Sequence, residues 1–492
     1  MNAPLRRVGV VVMVLFGLLF ANLNWQQVYK SDEYRTDDQH NHIRVQAQEY
    51  ERARGQIVVD GSPVAKSVET TDTLKYLRQY PDGALYAHVV GYKSVDFGAT
   101  NVERMENDFL AGTADSFLDD RIAEAFTGKR SPGGNTLLTL KKGAQEAAYK
   151  QLRDNNVGAD RGAVVALDAT TGAILAATST PSFDPNKLTT HNSGAVREQI
   201  NKLEKDPDKP LVNRAFSEIF PPGSTFKVVV AAAGLQNGLR PDTVLKGGTG
   251  YQAPDTQQVI RNAPGVVCPD DITLKQALTV SCNTAFSRYG VEQLGADKLK
   301  QAADAFGFGQ PNTFTRDDRN LFNVAVSETG TMEGPDGNVD RPALAQSCIG
   351  QRDVRMSPLQ GALIAAAIVN GGNQMRPYII DTLQADARAV YHAQPDVLRK
   401  PVNADVAAQL QDMMINVVEN GTGRNARLDG AQVGGKTGTA QNGDAPDHGW
   451  FIGFGIKDGK KVAVAVLLQN AGSGGSAEAT RIAGEVLKAA LK

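Results

Sequence analysis

A serine and a lysine three residues apart are the strongest chemical signal in this sequence. Ser224 follows Pro221-Pro222-Gly223 and opens an apolar, helix-like stretch in which Lys227 lies one turn further on. Residues with this spacing share one face of a helix, so the hydroxyl and the amine should be within reach of each other. A serine hydroxyl is a weak nucleophile that needs a neighbouring base. We therefore interpret Ser224 as a nucleophile and Lys227 as its general base.

The lysine can act as a base only while it is uncharged. Burial and a second positive charge nearby both lower the pKa of a lysine, and Lys436 is the candidate for that charge. The start of a helix also presents free backbone N–H groups, which predicts an oxyanion site at Ser224. Taken alone, the pair also fits a capping serine followed by a solvated lysine, so its interpretation depends on further motifs.

The segment Ser281-Cys282-Asn283 lies between two stretches with helical spacing. We predict that the hydroxyl of Ser281 relays a proton between Lys227 and a leaving or attacking amine. The Asn283 amide would hold a peptide backbone with one donor and one acceptor. Helix caps are the alternative interpretation of this segment on its own.

A third motif, Lys436-Thr437-Gly438-Thr439, fits a strand that borders a cleft. Lys436, Thr437 and Thr439 would present one cation and two hydroxyls to a terminal carboxylate. Gly438 would leave space where a substrate backbone approaches closely. The backbone N–H of Thr439 would join that of Ser224 as the second oxyanion donor. A Gly-rich turn in an edge strand is the structural alternative.

The elements that carry these motifs predict an α+β fold, an α/β sandwich in which helices cover both faces of an antiparallel sheet. A β-hairpin precedes a helical middle, strands return, and an amphipathic helix closes the chain. The predicted strands span 162–168, 173–178, 432–440, 450–455 and 461–468, and the predicted helices span 225–236, 274–280, 284–294, 361–369 and 477–491.

The N-terminus carries a membrane signal. Two arginines precede an apolar run over residues 8–21, and Trp25, which suits a membrane interface, follows it. The run is short for a spanning helix, so a signal-peptide core is the alternative. Because no small-x-small cleavage pattern follows, we predict an uncleaved single-pass anchor, with the rest of the chain outside the cytoplasm.

Three parts follow from this organisation. We predict a cytoplasmic tip and anchor over residues 1–30, a non-catalytic pedestal or dimerisation-like domain over 31–155, and the catalytic domain over 156–492. The formal net charge of −2 in 492 residues argues against a nucleic-acid partner. Scattered histidines without metal-ligand spacing predict no metal site, and no cofactor is expected.

Three cysteines occur, and an exported chain can pair two of them. Cys268 and Cys282 are close in sequence, which leaves Cys348 as the odd thiol. Closing a loop of this size would contribute roughly 3 kcal/mol of stability. Three buried free thiols are the alternative.

In this order, the three motifs resemble the S-x-x-K, S-x-N and K-T-G set of the penicillin-binding proteins. The likeness is closest to the class B, monofunctional transpeptidases of actinobacteria, and it extends along the whole chain. Further segments that resemble the family are Arg54-Gly55-x-Ile57, Asn213-Arg214-Ala215, Phe220 to Lys227, Gly350-Gln351, Ser357-Pro358-Leu359-Gln360 and Asn370-Gly371-Gly372.

The resemblance implies peptidoglycan D,D-transpeptidation in cell-wall synthesis linked to division or elongation. Ser224 would attack the penultimate D-alanine of a stem peptide and expel the terminal one, and an amine of a neighbouring stem would resolve the acyl-enzyme. β-Lactams would acylate the same serine. The implied partners are stem peptides on lipid-linked precursor strands, a SEDS-type glycosyltransferase and other cell-wall assembly proteins.

Two alternatives stay open at this point. A D,D-carboxypeptidase uses water in place of the amine, and the sequence does not distinguish these acceptors. An inactive scaffold in a cell-wall assembly would be favoured by the loss of a motif residue, but every motif residue is present. A β-lactamase is disfavoured because no E-x-x-L-N segment is found, and other serine hydrolases because there is no G-x-S-x-G elbow.

Overall fold

The computed structural model describes residues 3–26, 30, 49–72, 74–127, 131–311, 314–316, 319–320, 322 and 324–492. The polar stretch that begins the predicted 31–155 domain lies largely outside the described residues. The N-terminal helix Ala3–Asn24 includes a segment, Arg7–Asn24, that is long and apolar enough to cross a membrane. No part of that segment is buried inside the protein, so its apolar surface is left for a membrane.

Five strands form the central sheet, and each pairs with its neighbours in antiparallel fashion. Their order across the sheet is Gln432–Asn442, Ala445–Lys457, Lys460–Leu468, Gly162–Asp168 and Ile174–Thr180. Strands from the two ends of the catalytic region meet in its middle, where Val462 lies opposite Asp168 and Leu468 opposite Gly162. Gln432–Asn442, the edge strand, carries the third motif at the border of the sheet.

Helices cover both faces of the central sheet, because successive side chains of a strand point to opposite faces. Val464 and Val466 pack in the core beneath the C-terminal helix Gly475–Ala490 and the helix Lys142–Arg153. Ala463 and Ala465 belong to the larger core on the other face. There the helix Pro358–Val369 is buried along its whole length, and the predicted α/β sandwich is confirmed.

Six strands form the N-terminal sheet, in the order Arg388–His392, Ile380–Ala385, Asn135–Leu138, Ile57–Val59, Ser62–Glu69 and Tyr76–Gln79. Two of its strands come from beyond residue 155, so the catalytic region completes this sheet. The helix Lys142–Arg153, from before residue 155, packs on the central sheet instead. The division of the chain at residue 155 therefore stays a prediction, because strands from beyond residue 155 complete the N-terminal sheet and a helix from before it packs on the central sheet.

A buried ion-pair cluster holds the N-terminal sheet to its helices. Glu103, which is fully buried, accepts from Arg54 Nε at 2.7 Å and from Arg78 Nε at 2.6 Å. Gly55, which follows Arg54 in the chain, packs so tightly against the backbone of Gly134 that a side chain at residue 55 would overlap that backbone. The family-like segment at residues 54–57 is therefore explained by packing within this region.

The remaining elements are further helices and short strands. The helices are Gly83–Val90, Asn101–Met105, Asn107–Leu110, Leu118–Thr127, Ser193–Lys205, Lys227–Gln236, Leu274–Val280, Asn283–Tyr289, Ala296–Phe306, Arg341–Ser347 and Ala404–Asn420. Single turns of 3₁₀ helix span Asp115–Phe117, Pro185–Leu188, Gly223–Phe226 and Arg424–Ala426, and a π-helical turn spans Gly290–Leu294. Short strands are Lys93–Ser94, Gly98–Ala99, Val244–Lys246, Gly250–Gln252, Val259–Arg261, Asp271–Thr273, Thr315–Arg316, Arg319–Asn320, Gln374–Met375 and Val397–Arg399.

Candidate active site

Ser224 lies in a tight 3₁₀ turn, Gly223–Phe226, that runs directly into the helix Lys227–Gln236. Gly223 has a φ of +54°, and its N–H donates to the carbonyl of Gly350 at 2.9 Å. A side chain at Gly223 would overlap the carbonyl oxygen of Thr439 on the edge strand. Because residue 223 is a glycine, three segments can meet at one point. They are the turn that carries Ser224, the loop at Gly350 and the edge strand Gln432–Asn442.

Lys227 is fully buried, and its amine contacts one oxygen of Ser224, two of Ser281 and one of Asn283. Its Nζ lies 3.0 Å from Ser224 Oγ, 2.8 Å from the Ser281 carbonyl oxygen, 3.2 Å from Ser281 Oγ and 2.6 Å from Asn283 Oδ1. A neutral amine has two N–H donors and one lone pair. The carbonyl of Ser281 and the Oδ1 of Asn283 can only accept, so they take both donors. The lone pair is then left to accept the proton of Ser224.

The orientation of the Asn283 amide follows from its other contact. Its Nδ2 donates to the carbonyl of Arg261 at 2.8 Å, and because a carbonyl only accepts, the Oδ1 must be the atom that faces Lys227. One lone pair of Oδ1 and one N–H of Nδ2 are therefore used inside the protein. The second of each is left for a substrate backbone, so the contact with one donor and one acceptor stays a prediction.

Burial and charge together favour a neutral Lys227. Burial, and then the positive charge of Lys436, lower the pKa of Lys227 well below the ordinary value. Burial alone lowers the pKa of Lys436 to about 7. Two neighbouring ammonium groups repel each other, so the pair retains a single proton over part of the pH range, and that proton belongs on Lys436.

Ser281 connects the two lysines. It ends the helix Leu274–Val280 with a left-handed backbone, at a φ of +63°, so that both its carbonyl and its hydroxyl reach Lys227. The Nζ of Lys436 donates to Ser281 Oγ at 2.9 Å and to the carbonyl of Thr437 at 3.0 Å. A hydroxyl between two amines can pass a proton from one to the other. Ser281 also lines the cleft, and the relay between Lys227 and a substrate amine stays a prediction.

The edge strand differs in two ways from the sequence-based prediction. Lys436 is fully buried and lies behind the cleft, so it does not present its ammonium at the cleft surface as predicted. The space beside Gly438 is filled by the Pro222 carbonyl and the Thr225 side chain, not by room for a substrate. Thr437 and Thr439 do line the cleft, and Thr437 Oγ1 lies 2.6 Å from Thr422 Oγ1.

The cleft has a volume of about 720 Å³ and brings the three motifs together. Ser224, Ser281, Asn283, Thr437 and Thr439 all contribute to its lining. The strand Val259–Arg261 and the residues after it form one wall, and the Gly350 loop forms another. An extended peptide fits such an open groove between an edge strand and a facing wall.

Sequence reasoning missed the residue that supports the second motif. Asn262 Oδ1 accepts the backbone N–H groups of Asn283, at 2.8 Å, and Thr284, at 3.2 Å, while its Nδ2 donates to Gly248. Cys268 and Cys282 are joined by a disulfide in the same region, and Cys348 is a buried free thiol. Nothing in the spacing of Asn262 from the motif reveals this role, because a loop, the strand Asp271–Thr273 and the helix Leu274–Val280 separate the two in the chain.

The close approach at Gly223 leads to a prediction with a matched control. Gly371 also has a positive φ, +63°, but a side chain there would meet no atom within 4 Å. Gly371→Ala is expected to destabilise by about 1–2 kcal/mol, the strain of a left-handed backbone. Gly223→Ala adds a clash with Thr439 and is expected to destabilise by a further 1–3 kcal/mol or so. Thermal unfolding of the two variants provides the measurement, and equal losses would contradict the close approach.

Two family models match the chain. One is the penicillin binding protein transpeptidase domain, over residues 162–491, and the other is the penicillin binding protein A dimerisation domain, over residues 54–136. Peptidoglycan D,D-transpeptidase PbpA of Mycolicibacterium smegmatis is 41% identical over 498 residues, covering 100% of this chain and 98% of the relative. PbpA of Mycobacterium tuberculosis is 38% identical over 503 residues, covering 100% of this chain and 99% of the relative.

Solved structures show the same likeness. Penicillin-binding protein A from M. tuberculosis, as its ceftriaxone acyl-enzyme complex, superposes with a TM-score of 0.84 at 36% identity. The match covers 91% of this chain and 100% of that one. The imipenem acyl-enzyme complex of the same protein gives a TM-score of 0.84 at 37% identity, with the same coverage.

Proposed function

We infer the chemistry of this protein from its family, because the chain belongs to the penicillin-binding protein family of peptidoglycan D,D-transpeptidases. The protein is a serine-type transpeptidase of cell-wall synthesis, and its acyl-enzyme also forms with β-lactams. Ser224 is the proposed nucleophile, Lys227 the general base and Ser281 the proton relay. The substrate is a stem peptide that ends in D-alanyl-D-alanine.

Acylation begins when the lone pair of Lys227 accepts the proton of Ser224. The serine Oγ then bonds to the carbonyl carbon of the penultimate D-alanine, and the backbone N–H groups of Ser224 and Thr439 are the proposed donors to the oxyanion. As the peptide C–N bond breaks, the proton passes from Lys227 through the Ser281 hydroxyl to the leaving amine. Terminal D-alanine departs, and the stem remains as an ester on Ser224.

Resolution of the acyl-enzyme reverses the proton path. The amine of a second stem peptide attacks the ester carbonyl and gives its proton to Lys227, directly or through Ser281. The C–O bond of the ester breaks, Lys227 returns a proton to Ser224 Oγ, and a new amide cross-links the two stems. Thr437 and Thr439 are proposed to hold the substrate's terminal carboxylate during the first half of the reaction.

One observation supports this mechanism more than any other. Two of the four contacts of Lys227 Nζ are to oxygens that can only accept, so its lone pair is left for a hydroxyl, and that of Ser224 lies nearer, at 3.0 Å, than that of Ser281, at 3.2 Å. A solvated lysine would have no such arrangement, because water would satisfy and protonate its amine. The arrangement is what general-base activation of a serine needs.

The placement of the protein in the cell follows from the N-terminal helix. We propose a single-pass anchor that leaves the catalytic region outside the cytoplasm, where peptidoglycan is assembled. The proposed domain limits are 31–155 for a pedestal and 156–492 for the transpeptidase. Lipid-linked precursor strands, a SEDS-type glycosyltransferase and other cell-wall assembly proteins are the proposed partners.

Product analysis tests the proposed reaction. The full chain is incubated with a stem-peptide donor that ends in D-alanyl-D-alanine and with an excess of a D-amino acid as acceptor. Mass spectrometry should detect the exchanged peptide as the main product, together with free D-alanine. Fluorescent penicillin should label the wild-type chain at Ser224 and should leave Ser224→Ala unlabelled.

Each other outcome contradicts a defined part of the proposal. Shortened peptide without exchange would indicate a D,D-carboxypeptidase, because water would then be the acceptor. Absence of any penicillin label would indicate an inactive scaffold. Labelling of Ser224→Ala would show that another residue is the nucleophile.

A further inference from the structure

The helix Leu118–Thr127 in the N-terminal region carries an exposed apolar stripe that the transpeptidase chemistry does not use. The stripe consists of Leu118, Ile122 and Phe126, whose exposed fractions are 57%, 52% and 87%. Residues four apart lie close together on one helix face, so these three side chains span about 80° of the helix surface. We propose that the stripe inserts into the outer surface of the lipid bilayer in which the chain is anchored.

The helix is held to the folded body by its opposite face. Glu124 pairs with Arg52 at 2.5 Å and accepts the backbone N–H of Ser131 at 2.6 Å. At 100° per residue, Glu124 lies about 160° from the middle of the stripe. The body therefore lies on one side of the helix, and the three apolar side chains face away from it.

The part of the folded body that follows the anchor most closely in the chain contacts this helix. The apolar N-terminal helix ends at Asn24, and the described body begins at Glu49, three residues before Arg52. Arg52 also donates to the carbonyl of Gly112 at 2.9 Å, so the first residues of the body touch the region that carries the stripe. The intervening chain spans at most about 80 Å when fully extended.

Tethering makes a small apolar surface sufficient. Because the anchor and the stripe belong to one chain, the bilayer is present at a high effective concentration, and a weak interaction is populated without a second partner. An amphipathic helix that lies on a bilayer buries its apolar side chains roughly 5–10 Å deep at the boundary of headgroups and acyl chains. Three aligned apolar residues on two turns match that depth.

A second copy of the chain is the competing occupant, and the stripe is small for it. A helix of ten residues is about 15 Å long. A stable interface between two proteins buries roughly 1,200–2,000 Å² in total, far more than one face of such a helix provides. Contact with a bilayer needs no matching surface and has no such minimum.

The inference rests on the membrane anchor proposed above. An experiment on the full chain in lipid nanodiscs tests both the anchor and the insertion of the stripe. Phe126→Cys and Thr127→Cys are each labelled with an environment-sensitive thiol dye. Thr127 is exposed on the same helix but lies about 140° from the middle of the stripe, so it serves as the matched control. Cys348 is buried and the other two cysteines form the disulfide, so an unlabelled wild-type chain is the expected blank.

The nanodiscs consist of phosphatidylcholine and hold one copy of the protein each. In them, the dye at residue 126 should emit at a shorter wavelength than the dye at residue 127. Phosphatidylcholine with brominated acyl chains should quench it about two-fold, since its depth places it beside the acyl chains. The dye at residue 127 should stay unquenched. Adding Leu118→Ser and Ile122→Ser should abolish quenching at residue 126, while penicillin labelling of Ser224 shows that the variant is folded.

The other outcomes overturn the inference. Equal quenching at both positions, or quenching at neither, would show that the stripe does not insert. A blue shift that requires two chains per disc would identify the stripe as a contact between copies. A chain that fails to co-elute with the discs would remove the anchor itself, and with it the premise of the inference.

Discussion

Replacing Lys227 with methionine is expected to slow the acylation of Ser224 by a β-lactam about 10³-fold. Methionine has nearly the same length and suits a fully buried site, so the substitution removes the amine with little change in volume. The lost factor lies within the range that a positioned general base contributes. The measurement is the second-order rate constant for labelling by a fluorescent penicillin.

A surface lysine offers the control for this variant. Lys275 lies on the exposed side of the helix Leu274–Val280. Its Nζ pairs with a carboxylate oxygen of Asp412, on the helix Ala404–Asn420, at 2.7 Å. Lys275→Met should leave the acylation rate unchanged, because a surface ion pair contributes little to structure. If Lys227→Met retained a rate within a few-fold of wild type, the base would have to be another group, and Lys436 would be the remaining amine.

The core of the site was predictable because it rests on local geometry. Ser224 and Lys227 are three residues apart, and helix periodicity alone places their polar atoms within contact distance. The individual strands of the central sheet were predictable for a similar reason, since most of them carry apolar runs bounded by turn residues. Such features depend on neighbouring residues, which the sequence shows directly.

Functions that depend on distant residues were not predictable in the same way. The amide of Asn283 is oriented by the carbonyl of Arg261, on a short strand whose position follows from a long loop. Gly438 is required by Pro222, which lies more than two hundred residues earlier in the chain. No local pattern encodes which surfaces will pack together, so the sequence indicates candidate residues but not these long-range contacts.

The N-terminal sheet illustrates the same limit at the level of the fold. The strand Asn135–Leu138 pairs with Ile380–Ala385, across the whole catalytic region. Strand propensity is a local property, but the choice of partner strand depends on the packed whole. A boundary drawn at residue 155 from composition therefore cannot show that two later strands complete the earlier sheet.

Substituting Lys436 with methionine should change the pH dependence of acylation in a way that a purely structural role would not. The second-order rate constant reports the ionisation of the free protein. In the wild type the rate should rise with pH as Lys227 loses its proton, because only the neutral amine is a base. It should fall again as the pH passes about 7, where Lys436 loses the positive charge that favours an anionic substrate.

The sign of the shift follows from the repulsion between the two amines. The positive charge of Lys436 lowers the pKa of Lys227, second only to burial. Without that charge the pKa of Lys227 should rise, and the acid limb should move to higher pH. Below the wild-type limb, the variant should then be slower by about ten- to a thousand-fold. The alkaline limb should disappear, because its titrating group is gone.

The position of the limb separates electrostatics from packing. Methionine also removes the donor to Ser281 Oγ, so the height of the plateau should fall, but a lost hydrogen bond does not by itself move a titration along the pH axis. Lys275→Met should give the wild-type profile and excludes a general effect of charge removal. A Lys436→Met profile with an unmoved acid limb would show that burial alone sets the pKa of Lys227. In that case the second lysine would serve only to hold Ser281 in place.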